Sequence, residues 1–232
     1  DAIMLLRLTP DRSLLERLTF DGRPLPTVLI HADRQQYPTP IIANVVPDHR
    51  AISDDLAGWL LRRPHIRGRR SSKVVMVSMR VEKESACFPR LGDVERSIRN
   101  ERIARIWAAL DGFKRVRMTV PDYGFRNALE VWKAHPNADA YVCLSDQLAA
   151  AIKHLLIAGR HARDWSHRVV GFDGSELARE EAIASFSQKL ELVGDLALHR
   201  LCDFLAENRE RQVPIWPTED QKEIKIPVEF LS

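Results

Sequence analysis

The chain has 232 residues, 45% hydrophobic and 29% charged, with a formal net charge of +3. That is the balance of an ordinary globular protein, long enough for one large or two small domains. No apolar run approaches the roughly 20 residues of a membrane span, and so small a net charge gives no argument for nucleic-acid binding by the chain itself.

From the amino end, Ala2 to Leu6 (AIMLL) reads as a buried strand. The chain enters it abruptly and without a signal peptide, so further sequence is expected upstream of Asp1. Pro10 to Leu18 predicts a helix, with Thr9 as N-cap and Pro10 at its first position. Strands follow at Thr27 to His31 and, after a Pro-rich turn, at Ile41 to Val46. Asp48 is placed to cap a helix running to about Arg62, in which Ile52, Leu56, Trp59 and Leu60 recur at helical spacing. Arg62 to Lys73 (RRPHIRGRRSSK) is basic and broken by Pro and Gly, without interleaved aromatics. A solvated connector fits it better than a phosphate site. Lys73 to Met79 (KVVMVSM) predicts a strand, Arg80 to Gly92 a polar loop and Asp93 to Leu110 a helix. Val116 to Val120 is the next strand and Phe125 to Trp132 the next helix; Trp107 and Trp132 read as helix-face core residues.

The stretch from Ala138 to Gly194 organises the chain. Two short runs, Ala140 to Leu144 and Arg168 to Phe172, end in Ser145-Asp146 and Asp173-Gly174. Both read as buried parallel strands closed by polar residues. Polar groups at the carboxyl ends of such strands sit where open α/β sheets bind ligands. A helix follows the first run, with Leu148, Ile152, Leu155 and Leu156 on one face and Asp146 as its expected cap. Lys189 to Glu207 predicts an amphipathic helix, and Glu223 to Phe230 (EIKIPVEF) a closing strand in which Pro227 favours an edge position. The repeated alternation of strand and helix implies parallel sheets with right-handed crossovers.

Catalytic signatures are missing from the sequence. There is no GxSxG elbow, no GxGxxG or GxxxxGK[ST] loop, and no HExxH spacing among the histidines. No cofactor and no metal are predicted, and the chain reads as a non-enzyme. Cys87, Cys143 and Cys202 are widely spaced and odd in number, and the latter two lie in apolar contexts. Buried thiols of a reducing cytoplasm suit them better than a disulfide framework.

The ordered set DAYVCLSDQLAAAI, RVVGFDGSELAR and SFSQKLELVG resembles the effector-binding domain of LacI/GalR-type bacterial transcription regulators. The resemblance implies a periplasmic-binding-protein-like α/β fold of two Rossmann-like lobes with parallel sheets. An N-terminal subdomain would comprise 1–71 and 189–214, and a C-terminal one 72–188 and 215–232, with crossovers near 65–73, 187–190 and 209–220. The N-terminal lobe is expected to be incomplete: its first two βα units, and the DNA-reading helix-turn-helix before them, have no counterpart here.

The function so implied is sensing of a small polar effector, sugar-like or nucleoside-like, in a cleft between the lobes. Sensing would allosterically control DNA binding through a head domain that this chain lacks, in a cytoplasmic homodimer without membrane contact. The resemblance places Arg102, Asp173, Ser145 and His31 at the ligand. Arg102 would offer its rigid fork of donors, Asp173 would accept from the ligand at its strand end, and Ser145 would reach it through water. His31 stands where aspartate is frequent, and Asp33 is the alternative. Each has a plainer reading: Arg102 as a surface arginine, Asp173 as a cap of the helix at Ser175 to Glu180, His31 as a structural residue. A periplasmic or surface sugar-binding protein, a sensor fused to another signalling output, and an α/β enzyme remain the alternatives.

Overall fold

The computed structural model describes residues 3–6, 19–20, 23–30, 41–66, 68–79, 102–159, 168–211, 214–218, 221 and 223–231. In chain order the elements are β1 (Ile3–Leu6), β2 (Thr19–Phe20), β3 (Arg23–Pro24), β4 (Thr27–Ile30), β5 (Ile41–Asp48), α1 (Ile52–Leu61) and β6 (Lys73–Met79). Helix α2 (102–109) comes next. It is followed by β7 (Lys114–Val120), α3 (Phe125–Ala134), β8 (Ala140–Cys143), α4 (Asp146–Ala158), β9 (Val169–Asp173), α5 (Glu176–Glu180), β10 (Ala184–Ser187), α6 (Leu190–Glu207), β11 (Glu223–Pro227) and β12 (Glu229–Leu231). The helix expected at Pro10 to Leu18, the loop at Arg80 to Gly92 and the first part of the helix from Asp93 lie outside the described residues.

The strands form two separate main sheets and a small antiparallel β2–β3 pair. Packing divides the chain into two units accordingly, with boundaries at Asp48/His49, Gln188/Lys189 and Pro227/Val228. The first unit holds a parallel sheet of order β1-β4-β5-β11. Val28, Ile30, Ala43, Val45 and Ile226 of this sheet pack against Val193, Ala197, Leu201 and Phe204 of α6. These four recur at helical spacing and are buried, whereas Leu190, Leu192 and Leu198 stay exposed.

The second unit is built on a six-stranded sheet of order β12-β10-β9-β8-β6-β7. Its strands are parallel except for β12, which runs antiparallel to β10. Strand alternation sends Val74 and Met76 of β6 to one face and Val75 and Val77 to the other. The first face packs against Ile52, Leu56, Trp59 and Leu60 of α1 and Ile103 and Ile106 of α2. The second packs against Ala128 and Val131 of α3, Leu148 and Ile152 of α4 and Ala178 of α5. The result is a three-layer αβα sandwich, as the alternation of elements dictates.

The divide drawn by packing falls after Asp48, where α1 buries its apolar face in the second unit's core. Three expectations are corrected. First, EIKIPVEF is not one edge strand. Its first half, β11, pairs in parallel with β5 of the first sheet, and after Val228 its second half, β12, pairs with β10 of the second. Second, Asp48 does not cap α1. Ala51 occupies that position and makes no side-chain cap bond. Third, Cys202 is exposed, while Cys143 is buried as expected. No helix among the described residues is long and apolar enough to cross a membrane.

Candidate functional site

In the second unit, β6 is followed by α2 and then β7 on one side of the sheet, and β8 by α4 and then β9 on the other. The order of strands therefore reverses between β6 and β8. Open α/β sheets place their ligands outside the carboxyl ends of the strands at this reversal.

The β9–α5 turn is held at this edge by a buried carboxylate. Asp146, 1% exposed, accepts hydrogen bonds from the Ser175 N–H (2.8 Å), the Ser175 hydroxyl (2.7 Å) and the Ser185 hydroxyl (2.6 Å). The Ser185 Oγ accepts in turn from the Gly174 N–H at 3.0 Å. Gly171 makes room for this arrangement, since a Cβ there would lie 2.1 Å from Asp146 Oδ1. Asp146 is thus the first residue of α4 and the anchor of the next loop. Its expected role as N-cap belongs to Ser145, whose Oγ accepts from the Gln147 N–H at 3.2 Å.

The anchored loop presents Asp173 at the end of β9. Asp173 adopts φ 140°, in a region L-residues rarely occupy, and Gly174 follows at φ 63°. A Cβ at Gly174 would meet Ser187 Cβ at 2.4 Å. The Asp173 carboxylate accepts a long hydrogen bond from Gln188 Nε2, 3.4 Å. The cap of α5 is Ser175, not Asp173.

Arg102 is the first described residue of α2 and is only 7% exposed, so it is no surface arginine. Its guanidinium carbon lies 4.5 Å from the centroid of the Phe172 ring, the residue before Asp173. Phe172 also stacks on Phe186 (5.6 Å) and approaches the buried His49 (6.4 Å). Arg102 thus lies over the aromatic residue that precedes Asp173 at the end of β9, and Ser145 closes the neighbouring strand, β8. His31 lies outside the described residues. His49 and Ser78, both buried on this side of the unit, had not been singled out from the sequence. Ser78 carried a signal, as the one polar residue between Val74 and Met79.

Elsewhere in the unit several titratable groups are buried or bonded within the fold. The Cys143 thiol is pushed well up by burial and, secondarily, by the charge of Asp146, so it stays protonated and is no nucleophile. Burial likewise raises Tyr141, whose hydroxyl donates to the His135 carbonyl. Lys153 of α4 bonds both the backbone carbonyl and the carboxylate of Glu181, each at 2.6 Å. Among the described residues no cluster of His, Cys, Asp and Glu could hold a metal ion.

No family model matches the sequence, and no curated protein matches it significantly. Solved structures do match. A LacI family transcriptional regulator from Arthrobacter sp. FB24, in complex with lactose, is 16% identical with a TM-score of 0.69, over 100% of this chain and 77% of that one. A periplasmic binding ribose operon repressor from Lactobacillus acidophilus is 18% identical with a TM-score of 0.64, over 100% and 74%. An ABC transporter solute binding protein from Burkholderia graminis C4D1M, in complex with D-arabinose, is 16% identical with a TM-score of 0.62, over 95% and 71%.

The fold is therefore that of the periplasmic-binding-protein-like α/β proteins. Within that class, the resemblance to LacI-family regulators read from the motifs holds at the level of structure. These neighbours are regulators and a solute-binding protein, not enzymes.

Proposed function

We propose that the chain is the effector-sensing domain of a LacI-type transcription regulator, binding a small polyhydroxylated molecule of the sugar class. The observation that carries this reading is the buried Arg102 guanidinium over Phe172, with Asp173 next in the chain at the carboxyl edge of the second unit's sheet. A polyol needs both donors and acceptors. The guanidinium supplies a rigid fork of donors, the carboxylate accepts, and the Ser145 hydroxyl can still donate while it caps α4. His31 is the fourth candidate, carried by the resemblance alone. The sugar complexes among the structural neighbours support the ligand class.

On this reading the output is allosteric. Effector binding biases a two-state equilibrium of a cytoplasmic homodimer, and a DNA-reading head reports it. The chain binds without turnover. The D-arabinose-bound solute-binding protein favours a second reading, a sugar-binding protein of transport, which shares the site and differs in its output.

The test is calorimetric titration of the chain with lactose, D-arabinose and D-ribose, for the wild type and for Arg102→Ala. Loss of one partner of a buried polar contact costs about 1–3 kcal/mol, a weakening of about 5- to 150-fold. Arg102 is buried against Phe172, so some loss of stability is expected beside it, about 1–2 kcal/mol for a desolvated cation–π contact. Unchanged affinity in Arg102→Ala would remove Arg102 from the site. Absence of binding to all three sugars would refute the sugar reading.

A further inference from the structure

We propose that Ser78 is a ligand-contacting residue of this site, hydrogen-bonded to the bound sugar directly or through one water; the proposal rests on the sugar-binding reading above. Ser78 is fully buried, at 0% exposure, and its Oγ has no hydrogen-bond partner. A hydroxyl buried in that state destabilises a fold, and alanine in its place would pack without the penalty. The four preceding residues of β6, Val74 to Val77, are all apolar and buried, so the strand itself has no need of a serine.

Its position explains the exception. Ser78 is next to last in β6, beside the reversal of strand order. By alternation it faces the same side as Val74 and Met76, the side covered by α2. Register places it beside Thr119 of β7. One residue beyond the Val77–Cys143 pair, it neighbours Leu144. The Val142–Val170 pair, extended by two residues, brings Leu144 beside Phe172, and Phe172 pairs with Phe186. Ser78 therefore belongs to the same transverse row as Phe172, the ring over which Arg102 lies. A hydroxyl there offers one donor and two acceptor sites, which matches a sugar hydroxyl and gives little to an apolar ligand.

The test is Ser78→Ala, with Ser78→Cys as a variant of the same shape, larger at its terminal atom and weaker in hydrogen bonding, each followed by thermal melts and by calorimetry with lactose, D-arabinose and D-ribose. For Ser78→Ala the Tm of the free protein is expected to rise by about 2–4 °C. Affinity for whichever sugar the wild type binds is expected to fall by about 5- to 150-fold, with Ser78→Cys between the two. A fall in Tm with unchanged affinity would mark Ser78 as the holder of a structural water and overturn the assignment. Unchanged affinity with Arg102→Ala impaired would also overturn it, while leaving the sugar reading intact. A wild type that binds none of the three sugars would overturn both.

Discussion

Replacing Asp146 tests how the β9–α5 loop is held. The carboxylate accepts three hydrogen bonds, from the Ser175 N–H and from the hydroxyls of Ser175 and Ser185, and is all but inaccessible to water. A hydrogen bond to a charged group contributes about 1.5–3 kcal/mol, and a buried donor left unpaired costs about 1–3 kcal/mol. The two hydroxyls can turn toward other acceptors, but the Ser175 N–H cannot. Asp146→Ala is therefore expected to cost about 3–6 kcal/mol, a large part of the roughly 5–15 kcal/mol that holds a typical domain together. Asp146→Asn keeps the shape and one acceptor but turns an amide donor toward other donors, for a loss of about 1–3 kcal/mol. Urea unfolding followed by circular dichroism and tryptophan fluorescence reads both. Because the loop carries Asp173, sugar affinity should fall in Asp146→Asn even where the protein remains folded. An Asp146→Ala protein within about 0.5 kcal/mol of wild type would behave like an ordinary surface variant and refute the anchoring role.

Two further outcomes follow from the described packing. A hydrogen bond and the charge of Lys153, helped by His154, hold the Glu181 carboxyl below the ordinary glutamate range, against the opposing effect of burial. A depressed folded value means that the unfolded chain binds the proton more tightly. The stabilisation is thus present above the ordinary glutamate pKa and lost as pH falls through the lowered one. Lys153→Met should flatten this acid-side slope in urea midpoints measured from about pH 3 to 6, and an unaltered slope would contradict the pairing. With Cys87 replaced by serine, a thiol reagent should modify Cys202 quickly in the native protein and Cys143 only on unfolding, as their exposed and buried positions require. Rapid reaction of both thiols would contradict the burial of β8.

Much of the fold was legible because it is written in short, strong patterns. AYVC, VVGFD and KVVMVSM are apolar runs of strand length, and the helices around them show apolar residues at helical spacing. β10, the ASFS strand, escaped notice because half of its residues are small and polar; Ser185 is there to bond Asp146, a reason visible only in three dimensions. EIKIPVEF alternates evenly across Pro227, so nothing local reveals that the chain changes sheets there. The cap of α4 was misplaced by one residue because Ser145 and Asp146 are both good capping residues and only geometry assigns their roles. Among the site residues, Arg102 and Asp173 came from a resemblance of motifs. That Arg102 lies over Phe172, the residue before Asp173, follows from the packing of α2 on the sheet, which no linear pattern encodes. Ser78 was hidden for the opposite reason: one serine in a strand is unremarkable until its hydroxyl is found buried without a partner.

The outer strands have a consequence for the chain's life in a crowded solution. Among the described strands, β7 and β11 each end a sheet with one row of backbone donors and acceptors left open, a template on which another chain can polymerise. Each is guarded in its own way. β7 points Lys114 and Arg117 into solvent, so a second copy approaching that border in like manner meets its own charge. β11 exposes Glu223 and Lys225 and finishes in Pro227, which has no N–H to offer. The guard on β7 acts over distance and fades in salt, as the Debye length shrinks from about 10 Å at 0.1 M to about 3 Å at 1 M. The guard on β11 lies partly in the covalent structure of proline and is indifferent to salt. Of the two guards, the one on β7 is therefore the one that high ionic strength weakens.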